Sequence, residues 1–80
     1  MRKKIINMII ELTNYTELLN NVDVDLIKED ILDSLAFIEL ITRLEDEFNI
    51  EIYPTKLPKN TWNNIDNIVT MVKTEITKQH

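Results

Sequence analysis

Eighty residues with a net charge of −5, 44% hydrophobic and 29% charged, suffice for one small core and are too apolar for a disordered chain. Cysteine is absent and the one histidine is His80 at the C-terminal end, which excludes disulfides and thiolate metal sites and argues against a histidine base or a histidine-containing metal cluster. The acidic balance argues against nucleic acid and anionic membrane surfaces and points to basic protein partners.

The basic start Arg2-Lys3-Lys4, followed by apolar Ile5 to Ile10, has the outline of a secretion signal. The run is short, holds Asn7, meets Glu11 and lacks a small-residue cleavage site. No apolar run approaches the ~20 residues of a membrane span, and the expected location is cytoplasmic. Ile5, Met8, Ile9 and Leu12 recur at i, i+3, i+4, i+7 and predict a first helix over about residues 3–13, ending near Asn14. A long connection runs from there to Leu32. Its apolar residues Leu18, Leu19, Val22, Val24, Leu26, Ile27, Ile31 and Leu32 are expected to pin it to the core, with a helical turn near Thr16–Asn20.

A second helix is predicted from Ser34 to Phe48. Phe37, Leu40, Ile41, Leu44 and Phe48 form its inward stripe, and Leu35, Ile38, Glu39, Thr42, Glu45 and Asp46 lie mostly on the other side. Leu35 and Ile38 either widen the core stripe or join the acids in a partner contact; the pattern leaves both open. Asn49-Ile50-Glu51-Ile52 alternates, but a lone strand has no mate, so an extended connector ending at Tyr53-Pro54 is expected. A short helical turn is expected at Thr61-Trp62-Asn63. The last helix follows from Ile65 to about Thr77, with Asn64 as N-cap and Ile65, Ile68, Val69, Val72 and Ile76 buried. The expectation is an all-α fold: a single domain over residues 1–80, built as a bundle of three main helices plus one short helix. Glycine is absent, so left-handed turns must fall to Asn and Asp.

Asp33-Ser34-Leu35 marks the start of the second helix. Asp and Ser are both good N-caps, and a plain cap is the ordinary explanation of such a pair. A serine hydroxyl in a first helical turn is also sterically open. Unpaired amides and the helix dipole favour a phosphate there.

With this motif in place the chain resembles the acyl carrier proteins over nearly its whole length. The matching features are Asp33-Ser34-Leu35, Glu39-Leu40, the run Leu44-Glu45-Asp46-Glu47-Phe48, and Ile50-Glu51-Ile52. Within the family it resembles the D-alanyl carriers of Gram-positive bacteria, through Glu11-Leu12-Thr13, Val22-Asp23-Val24-Asp25-Leu26, Ile31-Leu32-Asp33-Ser34, Trp62-Asn63 and Asn67-Ile68. It departs from the pattern in having Asp30 where glycine is common, Asn64-Ile65 after the tryptophan, and a segment Thr55–Lys59 without acidic-aromatic character.

The resemblance implies a non-catalytic carrier with 4′-phosphopantetheine attached to Ser34, its thiol holding an acyl or aminoacyl group as a thioester. D-alanine destined for teichoic acid is the implied cargo. Fatty acyl, polyketide or peptidyl groups are the alternative, and an unmodified helical interaction module is the rival of a different class. The implied partners are a phosphopantetheinyl transferase with its own Mg²⁺, a ligase that activates the cargo, and a membrane-associated acyltransferase. The carrier itself is expected to be monomeric and to hold no metal of its own. Asp33, Leu35, Ile38, Glu39, Thr42, Glu45 and Asp46 are the implied recognition residues, with Asp33 also able to help hold the transferase's metal.

Overall fold

Three amphipathic helices fold around a shared core in the computed structural model, which describes residues 1–80. They are α1 (Arg2–Thr13), α2 (Ser34–Phe48) and α3 (Ile65–Gln79), joined through 3₁₀ turns at Thr16–Asn20, Pro54–Lys56 and Lys59–Trp62, with no β-strand. The fold is all-α as expected. The short fourth helix of the expectation is the 3₁₀ turn Lys59–Trp62: its bonds run from Thr61 N–H to the Pro58 carbonyl (3.1 Å) and from Asn63 N–H to that of Asn60 (3.2 Å). Four residues are too few for an α-helix to close more than a turn.

α1 and α2 are antiparallel, as the ion pairs Lys4–Glu47 (2.9 Å) and Arg43–Glu11 (2.7 Å) register. Such exposed pairs contribute little to stability; burial does the work. Ile5 and Ile9 from α1, Leu40 and Leu44 from α2, and Ile65, Ile68 and Val72 from α3 are fully buried. The long connection adds Leu18 and Leu26 to this set, so it is pinned as expected, but Leu19 and Ile27 are exposed. On α2 the inward stripe is narrower than its spacing implies. Phe37, Ile41 and Phe48 are half-buried at its margin, while Ala36 is buried.

α3 extends to Gln79, beyond the expected Thr77, because Gln79 fastens the extended connector. Its Oε1 accepts from Glu51 N–H (2.7 Å) and its Nε2 donates to the Glu51 carbonyl (2.9 Å), much as a neighbouring strand would. Next along the chain, Ile52 N–H donates to Glu45 Oε2 (2.9 Å), and Ile50 and Ile52 are buried. The Tyr53 hydroxyl donates to Glu51 Oε2 (2.6 Å), and that hydrogen bond, with the carboxylate charge, raises the Tyr53 pKa above the ordinary tyrosine value.

Without glycine, the three left-handed positions are Asn14 (φ 60°), Asp30 (φ 55°) and Asn49 (φ 53°). Asn14 and Asn49 end α1 and α2, returning their N–H groups to the Ile10 and Glu45 carbonyls. Asp30 turns the chain ahead of the Asp33-Ser34-Leu35 motif, where its side chain is exposed. Left-handed backbone is tolerable for Asp, free for Gly and costly for a β-branched residue. Asp30→Gly is therefore expected to stabilise the fold by about 0.5 kcal/mol in urea unfolding, and Asp30→Val to destabilise it by about 1–2 kcal/mol.

Candidate functional site at the start of the second helix

Asp33 has extended backbone (φ −76°, ψ −179°), and its Oδ1 accepts from Ala36 N–H at 2.9 Å. Its carbonyl accepts from Phe37 N–H at 2.8 Å. Asp33 is thus the cap, and Ser34 is the first residue of the helix proper. The division matters chemically. Ser34 lies exposed with its hydroxyl released from the capping role that its residue type would otherwise fill. The Ser34 and Leu35 amides have no acceptor within the chain, so two N–H donors at a positive helix end stand beside that hydroxyl.

The loop before the motif is built to hold this geometry. Asp25 Oδ1 accepts from Ile27 N–H (3.1 Å) and Lys28 N–H (2.8 Å), closing a tight turn. Asp30 reverses the chain so that the Ile31 and Leu32 amides both reach the Leu26 carbonyl, each at 3.0 Å. Leu26 N–H in turn donates to the Asn63 carbonyl at 2.6 Å. That bond draws the Lys59–Trp62 turn alongside the first turn of α2. Phe37 and Trp62 meet edge to face there, with ring centroids 5.0 Å apart and planes at 87°. Between the two elements lies a cleft of about 310 Å³ lined by Ile27, Leu32, Ser34, Phe37, Lys59 and Trp62, among others.

The other face of α2 carries the expected recognition residues, and the structure separates them. Leu35 and Ile38 are 67% and 61% exposed, so neither extends the core. With Glu39, Thr42 and Asp46, all exposed, they form an outward stripe at i, i+3, i+4, i+7, i+11. Glu39 and Asp46 have no ion-pair partner in the chain, unlike Glu47. Glu45 differs from the expectation. It is half-buried and its carboxylate holds the Ile52 amide, because the connector passes that side of the helix. Asp33 lies at the helix start with one oxygen committed to Ala36. Lys59, Ile27 and Phe37 were not among the expected site residues. The one signal for Lys59 was its basic charge in a segment that departs from the family pattern.

These residues fit a phosphate-linked prosthetic group. The chain offers an exposed nucleophilic oxygen, free amides for phosphate oxygens and an adjoining cleft with apolar walls. No group of three or more His, Asp or Glu side chains is arranged to hold a metal ion.

Comparison with known proteins agrees with the geometry. The family model described as "phosphopantetheine attachment site" matches residues 3–72. The D-alanyl carrier protein of Lactococcus lactis subsp. cremoris (strain MG1363) is 33% identical over 73 residues, 91% of this chain and 92% of the relative. That of Enterococcus faecalis (strain ATCC 700802 / V583) is 26% identical, covering 91% of this chain and 94% of the relative. That of Bacillus subtilis (strain 168) is 25% identical, covering 89% and 91% respectively.

The cap is open to direct measurement. Asp33→Ala leaves the Ala36 amide without its acceptor and is expected to cost about 1 kcal/mol in urea unfolding, with faster hydrogen exchange at Ala36, whereas Asp33→Asn should retain most of the stability. Native-like stability and exchange in Asp33→Ala would contradict the assignment of Asp33 as the cap.

Proposed function

We propose, from the premise that this chain belongs to the phosphopantetheine attachment family, that Ser34 is the residue bearing 4′-phosphopantetheine. The observation that supports it is the exposed Ser34 hydroxyl at the first helical position, freed from capping by Asp33. In the modification, Ser34 Oγ attacks the phosphorus of coenzyme A that bears the pantetheine. An Oγ–P bond forms, the pyrophosphate P–O bond breaks, and 3′,5′-ADP leaves with the electron pair. The serine proton passes to a base on the transferase. The second carboxylate oxygen of Asp33 makes no hydrogen bond within the chain and is available to the transferase's Mg²⁺.

The attached group supplies the thiol that this cysteine-free chain lacks, and that thiol holds cargo as a thioester. The chain is a carrier rather than a catalyst, and its role implies partner enzymes that modify, load and unload it. We assign it D-alanine as cargo, loaded by a D-alanine-activating ligase and passed by a membrane-associated acyltransferase toward teichoic acid. The D-alanyl carrier proteins it resembles along about nine-tenths of its length support this reading. So does the interior. Leu40, Leu44, Ile65, Ile68 and Val72 are fully buried, and the cleft at Ser34 is open rather than enclosed, which suits a small polar cargo better than a long acyl chain. None of the helices is long and apolar enough to cross a membrane.

Incubation with a phosphopantetheinyl transferase and coenzyme A is expected to add one phosphopantetheine to the native chain and none to Ser34→Ala, read by intact mass. An unmodified native chain across several transferases would favour an unmodified interaction module. The modified chain is expected to accept D-alanine from a D-alanine-activating ligase. Charging by a fatty-acyl route with none from that ligase would overturn the cargo and leave the carrier role. Glu39 and Asp46, about two turns apart on α2, are expected to steer basic partners. Reversing both to Lys should slow modification and loading at low salt while leaving urea stability near native, since exposed charges contribute little to it.

A further inference from the structure

We propose that the lysine-bearing face formed by residues 53–59 and the outward side of α3 is a docking surface for an anionic phospholipid bilayer, which holds the chain by headgroup contact without insertion.

The net charge of −5 hides a division along the chain. Residues 1–53 carry twelve acids against five bases, whereas residues 54–80 carry Lys56, Lys59, Lys73 and Lys78 against only Asp66 and Glu75. Both of those acids are engaged: Asp66 by Arg2, and Glu75 by Lys78 (3.6 Å) and by the Gln79 amide (3.0 Å). Lys56, Lys59 and Lys73 have no ion-pair partner within the chain, and all four lysines are exposed. Helical spacing gathers them. α3 buries Ile65, Ile68, Val69 and Val72, so Asn67, Thr70 and Thr74 fall on its outward side, with Lys73 and Lys78 flanking that uncharged strip. A groove of about 350 Å³ runs between the strip and the segment before α3, and Lys56 and Lys78 both line it. Lys59, next to the groove residue Asn60, carries the positive charge on to the cleft that contains Ser34.

A bilayer fits this face better than an acidic peptide does. The lysines are spread over the Pro54–Lys56 turn, the Lys59–Trp62 turn and α3, and no buried polar side-chain atom is left without a partner. The face therefore offers charge density, which is what a headgroup surface answers to, rather than a fixed set of waiting donors. Tyr53 adds the second interfacial element. It is 53% exposed, and the Lys56 ammonium stands 5.1 Å from the centre of its ring. An amphipathic ring beside a long cationic side chain suits the headgroup level. The Tyr53 hydroxyl occupies Glu51, the acid on that flank. The overall negative charge does not forbid the contact. At physiological ionic strength charges more than about 8 Å away are largely screened, so the face nearest the bilayer decides the sign of the interaction. The same surface repels Glu39 and Asp46 on α2 and leaves them to protein partners. With Lys59 beside the Ser34 cleft, a chain resting on this face presents whatever Ser34 carries next to the bilayer. The contact itself is independent of what Ser34 carries.

The test is co-sedimentation of the full chain with vesicles of phosphatidylcholine alone or of phosphatidylcholine mixed with phosphatidylglycerol. It is run at low salt and at about 1 M NaCl, where charges are screened beyond about 3 Å. The native chain is compared with the double variant Lys56→Gln/Lys73→Gln and with Lys28→Glu. Both variants lower the net charge by the same amount, but Lys28 lies in the loop before α2, outside the proposed face. All the altered side chains are exposed, so the helical circular dichroism should be unchanged. The native chain is expected to sediment with the phosphatidylglycerol vesicles at low salt, to be released at 1 M NaCl and to ignore phosphatidylcholine. Lys28→Glu should bind as the native chain does, and Lys56→Gln/Lys73→Gln should show a several-fold smaller bound fraction. A native chain that stays in solution with the anionic vesicles overturns the proposal, and if it then binds soluble polyglutamate the face belongs to an acidic protein instead. Native-like binding by Lys56→Gln/Lys73→Gln, or an equal loss in Lys28→Glu, overturns the assignment of this face.

Discussion

Leu26 is the constraint on which the rest of the site depends. Its side chain is fully buried, its N–H is bonded to the Asn63 carbonyl, and its own carbonyl takes the amides of Ile31 and Leu32. A residue without polar side-chain chemistry therefore fixes three separate backbone segments at once. The burial keeps water from competing for those hydrogen bonds, which is what makes them worth more than exposed ones. With Leu26 in place, the loop can end only where Asp33 caps α2. The turn before α3 can lie only beside it. The Phe37–Trp62 contact then bridges the two elements.

The helix start separates two tasks that one residue often combines. A capping serine turns its hydroxyl inward to an amide. Here Asp33 takes that duty with a carboxylate, which also complements the helix dipole, and Ser34 keeps a free oxygen one position later. Placing the cap on Asp33 gives the motif order a physical reason: an acid first, the free hydroxyl second, and an exposed apolar residue, Leu35, third. The arrangement needs no distortion at Ser34 itself. The left-handed backbone lies upstream at Asp30, away from the Ser34 hydroxyl.

Much of this was legible in the sequence, for reasons specific to each element. The α2 stripe and its caps are local signals, and its span from Ser34 to Phe48 follows from them directly. The Asn64 cap of α3 is equally local: its side chain accepts from Asn67 N–H at 2.9 Å. The left-handed turns were legible as a class, since a glycine-free chain leaves Asn and Asp to fill them. What depends on distant partners was not legible. The extra length of α3 comes from Gln79 meeting Glu51, twenty-eight positions away. The half-burial of Glu45 comes from the connector folding back over α2. The Leu26–Asn63 bond is between backbone groups, which every sequence possesses, so no residue type announces it. The cleft beside Ser34 inherits that invisibility.

The charges of α2 fall into two sets once the structure is known. Arg43, Glu45 and Glu47 are engaged within the molecule, holding α1 and the connector. Glu39 and Asp46 are engaged with nothing and share the outward stripe with Leu35 and Ile38. The engaged set could be exchanged only with loss of internal contacts, whereas the outward set is free to serve a partner. Exposed acids attract at a distance and hold weakly once salt and water intervene, so they speed encounter more than they prolong it. Two exposed apolar side chains add area at the point of contact without enough of it to lock a complex, since stable interfaces bury about 800 Å² from each partner. A surface of this kind, next to a free hydroxyl at a rigidly placed helix start, favours brief visits by several enzymes in turn over long residence with one.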